Sequence, residues 1–190
     1  MPVFSFLLPL LFWLPMASTP APQNTVVAAD PATLIPWSPT RPLAWSDFKS
    51  KPTPADKLAA LTTATIDVKA GCTDFVFNYS VRAVFSPTES WVREATKSNE
   101  SLLKHEQLHF DITEYHARKL RQKLSTLHLN CAHLQPGFKN VTNAAFAEWQ
   151  RDEARYDAET NHGLNTPNQK NWEGQIKLKL AQLDRFAVAP

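Results

Sequence analysis

A long amphipathic segment, residues 100–127, constrains the fold of this chain more than any other feature. Apolar side chains recur along one side of it at the spacing of an α-helix. His105 and His109 lie in the middle of that apolar stripe, and Glu106 completes the pattern His-Glu-x-x-His. Such a helix is stable only when its stripe is buried, so the rest of the chain must pack over it.

The His-Glu-x-x-His pattern predicts a zinc hydrolase site. Residues four apart on a helix share one face, so His105 and His109 can direct two imidazoles at one metal ion. Glu106 is offset by about 100° around the helix, where its carboxylate can act as a general base without being a ligand. A catalytic zinc takes three protein ligands and keeps one open position. The third ligand must therefore come from elsewhere in the chain.

Residues 153–163 offer the candidates for the third ligand. His162 leads, because it lies at a predicted helix end where the backbone can turn the imidazole toward the metal. Glu153 and Asp157 compete with it as a pair on the face that is expected to be buried. Glu159 points off that face and ranks lower.

The remaining histidines are not expected to bind the metal. His116 shares the apolar stripe, but at 1.5 Å per residue it lies about 10 Å along the helix from His109. It is expected to pack or to support the site. His128 and His133 follow the helix and are expected at the surface.

Two segments before the helix alternate between apolar and polar residues. Residues 63–69 and 75–85 each carry apolar side chains at every second position, which predicts two strands. The connection between them, residues 69–74, contains Gly71 and predicts the loop of an antiparallel hairpin or meander.

Two more helices are predicted after the loop that follows residue 127. One begins at Asn140 or Thr142, either of which could cap it, and runs to about Thr160. The other opens at Thr166 and has an apolar stripe that includes Trp172. The sequence thus predicts an α+β fold, with a small antiparallel sheet packed on the active-site helix and two further C-terminal helices.

The N-terminal part of the chain predicts export. Residues 1–20 contain an apolar run that is too short for an ordinary membrane span and is interrupted by Pro9 and Pro15, as expected of a cleaved signal peptide. The absence of a basic residue before Arg41 departs from the usual signal pattern. Residues 21–54 are rich in proline and predict an extended segment packed on the domain. A periplasmic or extracellular protein, with no stable membrane span after signal cleavage, is therefore expected.

The cysteines and the charge balance also limit the possibilities. Cys72 and Cys131 are the only cysteines, and an even number in an exported chain predicts a disulfide. Its loop of about sixty residues corresponds to roughly 4 kcal/mol of stabilisation in the chain-entropy model. The 20 basic and 18 acidic residues are well mixed, with no basic stripe, so nucleic acid is not an expected partner.

Four segments of the chain together resemble a known family. Residues 43–48, 90–92, 103–111 with the basic run 117–119 that follows, and 156–163 are similar to domain of unknown function 922, whose members are labelled predicted secreted Zn-dependent proteases. The resemblance covers nearly the whole mature chain. It implies a zincin-like fold and peptidase activity, with residues 55–190 forming one zincin-like metallohydrolase domain.

The function predicted from these observations is that of a secreted zinc metallopeptidase acting on peptides or proteins. His105, His109 and His162 would hold Zn²⁺, Glu106 would be the general base, and Tyr156 would donate a hydrogen bond to the oxyanion. Because ligand histidines must be neutral, metal occupancy is expected to fall below about pH 6.5. The alternatives are a non-catalytic zinc-binding envelope or scaffold protein, and a zinc hydrolase of cell-wall amides.

Overall fold

A computed structural model describes residues 34–97, 99–127 and 129–188. The predicted signal peptide, residues 21–33 of the proline-rich segment and His128 lie outside these ranges. The strands are β1 Ile35–Pro36, β2 Ala60–Leu61, β3 Ala64–Thr73, β4 Val76–Phe85 and β5 Trp91–Val92, and the helices are α1 Glu100–Thr126, α2 Gly137–Thr160 and α3 Thr166–Gln182. The predicted α+β class is confirmed. None of the helices in the described ranges is long and apolar enough to cross a membrane.

Helix α1 is the centre of the molecule, and it begins where Asn99 caps it. The Asn99 side chain accepts a hydrogen bond of 2.8 Å from the backbone N–H of Leu102. Buried apolar residues of α1 belong to two core clusters. Phe110, Ala117, Leu120 and Leu124 pack with β3 and β4, whereas Leu108 and Ile112 pack with residues of α2 and α3. The helix is therefore enclosed between the sheet and the two C-terminal helices, as its stripe predicts.

The β3–β4 hairpin dominates a three-stranded antiparallel sheet in the order β1-β4-β3, and β2 and β5 form a separate pair. The prediction of a loop at residues 69–74 is wrong, because strand pairing continues to Thr73 and Val76. Gly71 lies inside β3 opposite Asn78, and the turn falls at Asp74 and Phe75, with φ of 49° and 64°. Two successive positive φ values match the twist of a two-residue hairpin turn, so strand pairing continues to the tip. Phe75, predicted in a strand, is consequently 93% exposed.

The C-terminal helices form where they are predicted, except at the start of α2. Helix α2 begins at Gly137, after Pro136, and not at Asn140 or Thr142. No side chain caps this end, so a search for a Ser, Thr, Asn or Asp cap places the start too late. Helix α3 begins at Thr166, where Asn165 accepts a hydrogen bond from the backbone N–H of Asn168.

Residues 34–50, which we call the N-terminal strap, cover the side of α1 opposite its apolar stripe. The indole N–H of Trp37 donates to Asp111 Oδ1 at 2.7 Å, and the backbone N–H of Leu43 donates to Gln107 Oε1 at 2.7 Å. Leu43 and Phe48 are buried in the core cluster of the sheet. The strap thus satisfies two polar groups on this side of α1, the Asp111 carboxylate and the Gln107 side-chain carbonyl.

A disulfide joins Cys72 to Cys131. It confirms the predicted bridge and links β3 to the loop between α1 and α2. Beside it, Phe77 of β4 contacts Phe138 of α2 edge to face, with ring centroids 5.7 Å apart. The outer part of the hairpin is therefore held to the helical layer by one covalent bond and one aromatic contact.

Candidate metal centre

Side chains from α1 and from the C-terminal end of α2 converge on one point. Nε2 of His105 and Nε2 of His109 are 3.3 Å apart. Asp157 Oδ1 lies 3.3 Å from the former, 3.1 Å from the latter and 3.3 Å from Nδ1 of His162. His105, Asp157 and His162 each offer one ligand atom, all within 4.8 Å of one another, and this group could hold a metal ion. The structure thus brings the predicted histidines together with Asp157, which the sequence ranked behind His162.

The turn after α2 carries His162 to the site. Asn161, His162 and Gly163 have φ values of 48°, 52° and 80°, all in the left-handed region. Asn161 ends the helix in this conformation, and the backbone N–H of His162 donates to the carbonyl of Asp157 at 3.0 Å. A left-handed conformation costs a residue other than glycine about 1–2 kcal/mol, and such strain tends to occur at functional sites.

Gly163 allows this turn to approach α1 closely. A Cβ atom built on Gly163 would lie 3.0 Å from both Cβ and Cγ of His105. Only a residue without a side chain fits there, because ordinary carbon contacts are about 3.5–4.0 Å. The contact therefore fixes the distance between the His162 turn and the ring of His105.

Two carboxylates control the charge of His109. Its Nδ1 lies 2.5 Å from Glu153 Oε2, and its Nε2 faces Asp157. Burial by itself lowers the pKa of His109, but the hydrogen bonds to Asp157 and Glu153 outweigh it and raise this pKa to about 10. Burial alone would raise the pKa of Asp157; its hydrogen bonds to His105 and His109 instead hold that pKa well below the usual value. The site is therefore an anionic pocket that attracts a cation, whether a proton or a metal ion.

Three residues that the sequence reasoning missed hold the candidate ligands in place. Gln169 of α3 places Oε1 3.2 Å from Nδ1 of His105. Trp149 Nε1 and Thr113 Oγ1 donate to Glu153 Oε1 at 2.8 and 3.3 Å. Gln169 falls on the buried face of α3 with Trp172 and Ile176, at positions i, i+3 and i+7. A glutamine in such an apolar stripe is the signal that could have revealed it.

Tyr156 lies behind His105. Its ring stacks on the imidazole with centroids 4.8 Å apart, and its hydroxyl donates to Gln169 Oε1 at 2.7 Å and lies 3.2 Å from the His105 carbonyl oxygen. The side chain is fully buried, and this burial raises its pKa. The oxyanion role stays a prediction. The contacts in the structure show Tyr156 supporting the ring and backbone of His105.

Glu106 and the converging side chains line one cavity of about 820 Å³. Glu106 is buried, and it shares this cavity with His105, His109, Asp157 and His162. A volume of this size lies within the roughly 300–1,000 Å³ that is usual for ligand pockets. The residue predicted as general base and the candidate ligands thus line a common space.

Glu159, the candidate ligand that ranks lower, and His116, which is predicted to pack or support the site, bind other partners. Glu159 Oε2 accepts a hydrogen bond of 2.7 Å from the indole of Trp172. His116 is buried with Nε2 3.0 Å from Asp152 Oδ2, and its burial lowers its pKa. His116 therefore packs α1 against α2, which agrees with the supporting role predicted for it.

Comparison with known proteins identifies a family for this chain. No curated protein and no solved structure matches the chain. The model of the family described as "Bacterial protein of unknown function (DUF922)" matches residues 49–163, a range that covers more than half of the chain and includes both histidines of α1, Asp157 and His162. The chain therefore belongs to this family, which confirms the resemblance seen in residues 90–92, 103–111 and 156–163.

Proposed function

We propose that the protein is an exported zinc-dependent peptidase of zincin-like architecture. The observation that carries the proposal is the spacing of four ligand-type atoms. Nε2 of His105, Nε2 of His109 and Nδ1 of His162 each lie 3.1–3.3 Å from Asp157 Oδ1. A tetrahedral zinc ion with bonds of 2.0–2.1 Å separates its ligands by about 3.3–3.4 Å. The distances therefore suit a tetrahedral ion, for which His109, His105 and Asp157 make a three-ligand set.

The partners of the histidines also favour zinc. Nδ1 of His109 is bound by Glu153 and Nδ1 of His105 by Gln169, so Nε2 of both rings faces the centre. Metal-binding histidines usually have the second ring nitrogen held in this way. Imidazole and carboxylate are ligands that zinc readily takes.

A zinc ion held by His105, His109 and Asp157 would supply Lewis acidity for the scissile carbonyl and for water. Glu106 accepts a proton from water and passes it to the departing amine. Its burial at the cavity wall keeps the carboxylate in place and away from bulk solvent. Tyr156 and Gln169 hold the ring of His105 during turnover.

Metal analysis of the protein and its Glu106→Gln variant tests the proposal. The wild type should hold one zinc ion at neutral pH and cleave members of a peptide library. Glu106→Gln should keep the zinc and lose at least about 100-fold in kcat/KM, the usual contribution of a general base. Glu159→Gln makes the same chemical change at a residue that binds Trp172, and it should keep both zinc and activity.

The other outcomes separate the competing functions. Zinc without cleavage of any peptide would favour a scaffold protein, and cleavage restricted to peptidoglycan amides would favour a cell-wall hydrolase. Absence of zinc from the wild type would overturn all three.

Export is the remaining part of the proposal. The Cys72–Cys131 disulfide supports it, because disulfides persist mainly in oxidising compartments. Cell fractionation of a bacterium expressing the chain should place the protein outside the cytoplasm. Recovery of reduced protein from the cytoplasm alone would contradict export.

A further inference from the structure

The cavity at the candidate metal centre is lined by both carboxylates and apolar residues. Its carboxylates, Glu106, Glu153 and Asp157, lie on α1 and α2 among the candidate ligands. Residues 57–62 also line the cavity, and only Lys57 among them is charged; we call this segment, with Leu102 and Leu164, the apolar wall. A molecule that fills the cavity therefore meets an anionic centre and an apolar wall.

Three leucines from separate parts of the chain line the cavity. Leu61 comes from β2, Leu102 from the first turn of α1 and Leu164 from the residue after Gly163. Leu61 is 38% exposed and Leu164 is 78% exposed. A single exposed leucine is ordinary on a protein surface, but convergence of several on one cavity marks a site for an apolar ligand group.

The wall is fixed relative to the candidate metal centre. Thr62 Oγ1 donates to the carbonyl of Glu106 at 3.2 Å, and Arg93 N donates to the Ala59 carbonyl at 2.8 Å. Leu164 is two residues from His162, and its backbone N–H donates to the Asn161 carbonyl at 3.2 Å. The segment of Leu61 is thus bonded to α1 beside Glu106, and Leu164 follows the turn that carries His162.

We propose that Leu61 and Leu164 select peptides with a large aliphatic or aromatic side chain next to the cleaved bond. This inference rests on the proposed peptidase function and adds its substrate class. Acidic side chains are disfavoured in the same place, because three carboxylates already line the cavity. Transfer of one leucine side chain from water to an apolar wall accounts for at least about a tenfold preference.

Peptide binding to a catalytically inactive variant tests the side-chain preference separately from catalysis. The zinc-loaded Glu106→Gln variant is titrated with two fluorescent peptides of alanine, glutamine and lysine, identical except for one central Leu or Asn. The Leu peptide should bind at least about tenfold more tightly by anisotropy. Adding Leu61→Asn or Leu164→Asn should reduce the preference severalfold.

Leu178→Asn provides the matched control. Leu178 is 66% exposed on α3 and does not line the cavity, so its replacement should leave the preference unchanged. Equal binding of the two peptides, or an equal loss in the Leu178→Asn control, would overturn the inference.

Cleavage by the wild type supplies the second readout. The products of the Leu peptide should show a cut beside the leucine, and cuts spread evenly along the peptide would contradict the inference. Failure of the wild type to cleave either peptide, together with a retained binding preference, would overturn the peptidase proposal and leave the apolar ligand site standing.

Discussion

At the scale of single residues, Asp157 and His162 differ in how well they are placed to be the third ligand of the proposed metal ion. Asp157 Oδ1 lies within 3.3 Å of three imidazole nitrogens, and the aspartate is ionised because its pKa is held low. His162 is half exposed and lies on the strained turn. Asp157 is therefore the stronger candidate for the third ligand, and His162 is the more easily displaced.

Replacing these two residues one at a time should show this ranking. Asp157→Asn should raise the zinc Kd by more than about 100-fold, because it removes the anionic oxygen at the centre of the group. His162→Ala should raise it by about 10–100-fold, which is the usual effect of a residue outside the essential ligands. Competition with a chromogenic chelator measures both values.

Glu159→Gln is the control for this ranking and should leave the zinc Kd unchanged, because Glu159 is bound to Trp172. A greater loss for His162→Ala than for Asp157→Asn would reverse the assignment.

Zinc binding should release a proton from His109. Without metal, its pKa of about 10 keeps the ring protonated throughout the neutral range, and a ligand must be deprotonated. Zinc affinity should therefore rise by about tenfold per pH unit for this proton and continue to rise above pH 6.5, where an ordinary histidine would already be neutral. Calorimetry at pH 8 in buffers of different ionisation enthalpy counts the protons released.

Glu153→Gln removes one of the carboxylates that raise the pKa of His109. The number of protons released at pH 8 should consequently fall in this variant. Release of no protons by the wild type at pH 8 would contradict the prediction.

The sequence predicts only the part of the candidate site that lies on α1. His105, Glu106 and His109 are placed by helical periodicity alone, which is a local property. The choice between Asp157 and His162 depends on how α2 packs against α1 and on a left-handed turn, and neither follows from local pattern. Gln169 lies 64 positions from His105, and only the tertiary fold brings the two together.

At the scale of secondary-structure elements, the turn after α2 controls the site through its close contact with α1. Gly163→Ala should destabilise the metal-free protein by about 2 kcal/mol, because a Cβ is strained at φ +80° and would lie 3.0 Å from His105 carbon atoms. It should also weaken zinc binding, since the turn that carries His162 must move. Urea denaturation and chelator competition measure the two effects.

Gly174→Ala is the matched control within α3, where an added Cβ has no neighbour within 4 Å. It should stabilise the protein by up to about 1 kcal/mol, the difference in helix propensity, and leave zinc binding unchanged. Equal effects of the two substitutions would refute the positional role of Gly163.

The sequence predicts the bounds of an element well where a long periodic pattern defines it. The prediction is wrong where the conformation of a turn sets the boundary. The apolar stripe of α1 predicts its bounds closely, because a long periodic run leaves few alternatives. The hairpin turn was misplaced because Asp74 and Phe75 adopt positive φ without a glycine, while Gly71, the usual signal, lies in a strand. The start of α2 at Gly137 is not predicted, because no side chain caps this end of the helix.

At the scale of the whole molecule, the disulfide should matter for stability and not for the metal. Replacing Cys72 and Cys131 by alanine opens a loop with a sequence separation of 59 residues. The chain-entropy model puts the loss at roughly 4 kcal/mol, which corresponds to a fall in Tm on the order of 10 °C. Zinc content should be unchanged, because no residue of the β3–β4 hairpin beyond Ala64 lines the cavity. Thermal unfolding and metal analysis of the double variant test both statements.

A loss of zinc at temperatures well below the transition would show that the hairpin does influence the metal centre. An unchanged Tm would show that the unfolded chain is already compact enough to make the loop closure unimportant.

The N-terminal strap has a consequence for the order in which the chain can fold. Trp37 binds Asp111, 74 positions later, and Leu43 binds Gln107, 64 positions later. A chain that leaves a ribosome or a translocation pore with its N-terminus first therefore exposes the strap before α1 exists. Trp37 and Leu43 must wait as unfolded, apolar chain until α1 has emerged, which is the period when chaperones can bind them and when the chain is most exposed to aggregation.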